Sequence, residues 1–280
     1  MNGFAILAIY AVVMITATLI FTKKEKNVER FCVGSRKENW IMSALSIAAT
    51  WIWAPALFVS TEKAYTNGFV GLFWFLIPNV LCLILFIPFA KRIRKEMPEG
   101  ITLSGYMRDK YKSDGVKRVY LFQLMGLSVL STGVQLLAGS QVLSAATGMP
   151  FQLVTVLLAV IALSYSLFSG IKASMLTDAI QMVFMLAAST AFLIMAIRVG
   201  GTSGILEGIH GISGNYTSFW SEDGIEVFLA FGLPTTIGLL SGPFGDQSFW
   251  QRAFAVKSNR IGRAFFVGAI LFGLVPLSMG

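Results

Sequence analysis

The chain has 280 residues, 55% of them hydrophobic and only 13% charged, with a formal net charge of +8 and a mean hydropathy of +0.72. Soluble domains carry about a quarter charged residues, so this composition excludes an ordinary soluble protein and points to an all-α membrane protein. The positive charge does not imply nucleic acid as a partner, because the basic residues lie between apolar runs instead of forming one patch.

Eight runs are long enough to cross a bilayer, at about 3–22, 40–60, 69–90, 119–147, 150–170, 175–197, 226–245 and 264–280. The first, "GFAILAIYAVVMITATLIF", has no basic stretch before it and no small-residue cleavage site after it, so it reads as a retained span. The second contains "AATWIWAPALF", Ala48 to Phe58, with Pro55 in mid-span. Pro55 has no N–H, so the carbonyl of Trp51 loses its helical donor. Irregular backbone at that depth persists only when buried in protein or lining a cavity. The plainer reading is a proline kink in an ordinary helix.

Trp51 and Trp53 lie too deep for the interfacial aromatic belt. Either one lines a solute cavity or packs against helices and lipid. Two positions apart on a helix they point about 200° away from each other, so both face one cavity only if the backbone unwinds. The fourth run is too long for an untilted crossing and carries Gln135 and Gln141, amides expected to bond helix to helix.

Asp178 opens the sixth run just after Thr177. It reads either as an acid favouring the positive end of a helix dipole or as a carboxylate facing a cavity. The seventh run, "AFGLPTTIGLLSGPFGDQ", is rich in Gly and Pro and falls five runs after the broken second. Paired interruptions at corresponding positions point to a transporter built from inverted repeats. Asp246, Gln247, Phe249 and Trp250 follow where that run meets the next loop. They read as a gate, or as an interfacial Trp beside a solvated Asp.

The loops alternate in charge. Those at 23–38, 91–118, 171–174 and 245–263 hold twenty Lys and Arg, and the other set holds only Lys63 and Arg198. By the positive-inside rule the rich set is cytoplasmic and the N-terminus is outside, in the inner membrane if the source is bacterial. Cys32 and Cys82 sit in unlike surroundings and His210 is the single histidine, so neither a disulfide framework nor a metal cluster is expected.

Three stretches in order resemble the sodium:solute symporter family. They are "SIAATWIWAPALFVSTEKAYTNG", "YSLFSGIKASMLTDAIQMVFM" with its Thr-Asp-x-x-Gln pattern, and "GDQSFWQRAFAVKS". "SGIKASMLTD" and "DQSFWQRAFA" are most similar to the urea-transporting branch. The resemblance implies a LeuT-type inverted-repeat helical bundle, truncated. Residues 1–22 would form an extra N-terminal span, 40–198 the first five-helix repeat and 226–280 the start of the second. Family members continue through further spans, one of which supplies hydroxyl ligands to sodium, so the chain is expected to be a fragment.

The resemblance further assigns sodium to the carbonyls of Ala49 and Ile52, and to Asp178 as a relay on the inward path. It assigns substrate binding or gating to Trp51, Trp53, Pro55, Asp246, Gln247, Phe249 and Trp250. The implied activity is sodium-coupled symport of a small polar solute such as urea, an amino acid or a sugar, with the proton as the other candidate ion. No nucleophile–base pair or nucleotide motif suggests an enzyme. The alternative is a transport-inactive sensor or structural subunit that keeps the fold.

Overall fold

Several helix starts in this chain follow local capping chemistry. Asn27 accepts from the Arg30 N–H to open α2 (Val28–Val33), and Asn39 accepts from the Ile41 N–H to open α3 (Trp40–Trp51). Before them lies α1 (Gly3–Phe21), uncharged and largely apolar. The computed structural model describes residues 3–212, 214 and 216–280, without the side chains of Ile6 and Pro55.

α3 stops because Ile52 and Trp53 are extended, with ψ of 98° and 143°. α4 (Ala54–Glu96) restarts with Pro55 in its first turn, where a missing N–H costs nothing. At 43 residues α4 would be about 65 Å long, twice the ~30 Å hydrocarbon core. It resolves into two arms at Asn67 and Gly68, the latter at φ +53°. Only glycine adopts that conformation freely, and a side chain there would run into the Ile209 carbonyl.

Thr102 caps α5 (Leu103–Tyr111), Ser113 caps α6 (Asp114–Thr147), and Gly148 ends α6 in the left-handed region. α7 (Phe151–Ser169) and α8 (Ile171–Gly208) follow, α8 bending at Gly201. α9 (Glu222–Val227) runs through a π-helical turn, Phe228–Gly232, into α10 (Leu233–Gly245). α11 (Gln247–Ala255) and α12 (Ile261–Met279) complete the chain.

Among the described residues, seven helical segments are long and apolar enough to span a membrane; α3 is apolar but shorter. The expected second span is therefore α3 plus the first arm of α4, joined across the break. The expected interruption of the seventh run is milder than a break. Its helix widens into a π turn just before Pro234 and then runs unbroken past Pro243 to Gly245. The wider turn absorbs the missing donor of Pro234 without unwinding the chain.

The core lies where α3, α4, α11 and α12 meet. Phe86 sits at its centre, 4.5 Å from Trp250 and 5.0 Å from Phe265 by ring centroid. α1 packs outside this core, against α6, α7 and α8. The loop sets gather at opposite ends of the bundle. At one end Arg36 bonds the Gly100 carbonyl, Glu38 N–H bonds the Ala255 carbonyl and Gln247 bonds the Ile101 carbonyl. At the other, Phe69 N–H bonds the Ile209 carbonyl and Ile212 N–H bonds the Tyr65 carbonyl.

Candidate functional site

The break between α3 and α4 is held open from outside. The Ala54 N–H, which a continuous helix would give to Thr50, donates to Gln135 Oε1 on α6 at 2.7 Å. Pro55 offers no donor to Trp51. The Ala56 N–H turns to the Trp53 carbonyl at 2.9 Å, so Ile52 loses its helical donor as well. With Trp53 itself extended, the carbonyls from Ala49 to Ile52 leave the helical ladder together, at the negative end of the α3 dipole. Gln135→Leu removes the external acceptor and strands the Ala54 N–H. The expected cost is about 1–3 kcal/mol, read as a lowered unfolding midpoint in detergent.

Beside the break lies a cavity of about 680 Å³, walled by Trp51, Trp53, Asn79, Gln123, Gly242 and Asp246 among others. Both tryptophans reach it because the extended backbone at Ile52 and Trp53 cancels the helical offset. Trp51 is 6% exposed; its Nε1–H donates to the Asn79 carbonyl at 3.1 Å, and its ring meets Phe249 edge-on at 5.4 Å. The indole packs against bare backbone at Gly242, where an added Cβ would lie 2.5 Å from Trp51 Cη2. The Asn79 amide nitrogen donates to the Phe75 carbonyl, which leaves its side-chain oxygen as an acceptor on the cavity wall. Gln123 Nε2 donates to the Gly245 carbonyl and closes the far side.

About one helical turn before Ala49, Ser46 joins a second polar centre. Asp178 Oδ2 accepts from Ser46 Oγ at 2.6 Å and pairs with Arg252 Nη2 at 2.6 Å, with Ser174 Oγ farther off at 3.4 Å. Arg252 Nε donates to Ser46 Oγ at 2.8 Å and Nη1 to the Ser248 carbonyl at 3.0 Å. The pair is largely buried, its side chains 5% and 18% exposed for Arg252 and Asp178. It ties α3, α8 and α11 at one point. Asp178 is thus neither a free helix-terminal acid nor an open cation ligand; an arriving cation would have to replace the guanidinium.

The other sequence-derived candidates separate. Trp51, Trp53 and Asp246 line the cavity, and Asp246 also caps α11 through the Ser248 N–H. Phe249 and Trp250 are 0% and 2% exposed and belong to the packed core, with Trp250 Nε1–H on the Phe244 carbonyl. Phe244 and Tyr120 are aromatics that line the cavity toward that end. Gln247 uses both ends of its amide on Ile101 and Leu103, clamping the link into α5. Gln181 donates to the Tyr10 hydroxyl at 2.6 Å, fastening α1 to α8. The expected role of Pro55 in substrate contact concerns a side chain outside the described residues.

Arg252 and Ser46 were not singled out in the sequence, although an arginine inside a symporter-like motif flanked by aromatics was a signal of a buried charge. Gln135, expected to bond helix to helix, does so by accepting from the Ala54 N–H at the broken start of α4.

Residues 31–279 match the sodium:solute symporter family. The chain belongs to that family. Family members and the relatives found are transporters, not enzymes. Among the relatives of this symporter chain are a probable urea active transporter 2 of Schizosaccharomyces pombe, 26% identical over 98% of this chain and 42% of that protein. A urea active transporter of Saccharomyces cerevisiae is 26% identical over 99% of this chain and 40% of its own length. A urea-proton symporter of Oryza sativa subsp. japonica is 23% identical over 95% and 41%. The chain therefore spans about two-fifths of these relatives, which carry the urea branch suggested by its motifs. Membership implies the LeuT-type helical bundle for this sodium:solute symporter sequence.

Proposed function

We propose that the chain forms the ion- and solute-binding half-site of a symporter for a small polar solute, with urea favoured. The observation that carries this is the α3–α4 break, which frees the carbonyls from Ala49 to Ile52 and has Trp51 and Trp53, on either side of Ile52, walling a cavity. Carbonyls at a helix C-terminal end suit a hard cation without a buried fixed charge. The indole faces and the Asn79 side-chain oxygen suit a flat solute rich in N–H donors.

The inward path for the cation runs past Asp178, which would exchange Arg252 for the ion. Ion and solute then favour one conformer, a coupling that in transporters and other allosteric systems amounts to about 1–3 kcal/mol. In the proposed layout residues 1–22 are an added span, 40–198 a first repeat and 226–280 the opening of a second. The external position of α1 and the break in the first helix of the first repeat support it. The gathering of the basic loops at one end supports a cytoplasmic assignment for that end, with the N-terminus outside.

Sodium is the coupling ion favoured by the family; the rice relative is a urea-proton symporter. The test is uptake of radiolabelled urea into proteoliposomes carrying this half-site within a symporter of the relatives' full length, under an imposed sodium gradient or an imposed proton gradient. Uptake driven by sodium is expected. Uptake driven only by protons would reassign the ion, and no uptake under either gradient would remove the proposal.

A further inference from the structure

At the basic end of the bundle a second cleft, of about 660 Å³, is lined by Arg36, Lys37, Arg94, Lys257, Ser258 and Asn259. No carboxylate is among its lining residues. Arg94, near the end of α4, is only 8% exposed, yet it makes no ion pair among the described residues. Its guanidinium donates to the Pro98 carbonyl and lies over the Phe254 ring at 5.9 Å. Its Nε is buried without a hydrogen-bond partner.

Buried charges are ordinarily paired, since desolvation without a partner is costly. Arg36 cannot help, because it adds a positive charge and its own needs are met by Glu29, Glu99 and the backbone of Glu99 and Gly100. Lys37 and Lys257 stand exposed at the rim and form no ion pair among the described residues. Glu99 offsets part of the Arg94 charge from a distance but is paired with Arg36, so the cleft walls stay positively charged with no carboxylate on them.

We propose that this cleft binds a phosphate group, with the Arg94 guanidinium at its base and Lys37 and Lys257 at its rim. A guanidinium fork matches the oxygens of a tetrahedral oxyanion, and two mobile ammonium groups add charge without demanding geometry. Ser258 and Asn259 supply neutral donors beside them. The site lies where α4 ends and α12 begins, two helices of membrane-spanning length, so it meets the level of lipid headgroups. A phosphomonoester lipid headgroup and free inorganic phosphate share the chemistry. The proposal does not rest on the transport reading.

The test uses the detergent-purified chain and two probes. Phosphatidic acid retention, against phosphatidylcholine, is read by native mass spectrometry, and radiolabelled inorganic phosphate by equilibrium dialysis. Lys37→Gln with Lys257→Gln is expected to weaken binding of the phosphate-bearing probe by about tenfold or more. Arg94→Gln should do the same if it folds. A control pair on the same basic end but outside the cleft, Lys110→Gln with Arg118→Gln, is expected to change it less than about twofold.

Retention of phosphatidic acid alone identifies a lipid site, and binding of inorganic phosphate identifies a free-anion site; either supports the proposal. Binding of neither probe, or equal loss in the control pair, overturns it.

Discussion

Replacing Arg252 by Gln is expected to destabilise the protein by about 3–5 kcal/mol, the cost of leaving one member of a buried pair uncompensated. Asp178 would keep Ser46 and Ser174 as hydroxyl donors but lose its counter-charge. Asp178→Asn strands the guanidinium in the same way. The double variant Asp178→Asn, Arg252→Gln leaves two neutral amides and should recover a large part of the loss. Unfolding midpoints of the four proteins in one detergent, treated as a double-mutant cycle, measure the coupling.

The same variants test the relay role, which stability alone does not. Asp178→Asn should weaken the dependence of uptake on sodium concentration. An unchanged sodium titration would leave the ion pair with a purely structural task, pinning α3 to α8 and α11.

Trp51→Ala should cost about 3–5 kcal/mol, the range for deleting a large aromatic from a packed site. The indole fills the space between α3, α4 and α10 and supports Phe249 edge-on. Collapse into the void is opposed by its position next to the open cavity. Trp51→Phe keeps most of the packing and loses the Nε1–H bond to Asn79, about 1 kcal/mol. The Asn79 carbonyl would still receive Cys82 Sγ at 3.0 Å. If Trp51 meets the solute, Phe should also raise the KM for uptake while the unfolding midpoint stays near that of the parent. Equal KM values for the two proteins would make Trp51 a packing residue only.

Features that depend on neighbours along the chain were readable in the sequence. Pro55 marked the break to within three residues, because a missing N–H acts on the carbonyl four positions back. Apolar runs located the spans. The Gly/Pro-rich stretch before Asp246 misled in degree. Counting breakers predicts an interruption, whereas a π turn at Phe228–Gly232 accommodates Pro234 with the helix intact.

The candidate site was legible only in part, for a physical reason. Trp51 and Trp53 looked incompatible with one cavity as long as regular helix was assumed, and unwinding at Ile52 removed the conflict. Phe249 and Trp250 looked like gates by position, but aromatic rings gain most from burial, and Phe86 offers them a core. Gln247 looked like a site amide and turned out to be a clamp on backbone.

By itself the sequence determined a helical membrane chain, the places of its spans, the alternation of its loop charges and the weak point ahead of Pro55. All of these follow from hydropathy and backbone chemistry acting over a few residues. The tertiary structure alone decided what the weak point becomes. Gln135 reaches Ala54 across 81 residues, Arg252 reaches Asp178 across 74, and Ser46 meets Arg252 across 206. Polar groups inside a bundle must find partners wherever packing brings them, and that choice is made between helices, beyond the reach of any local pattern.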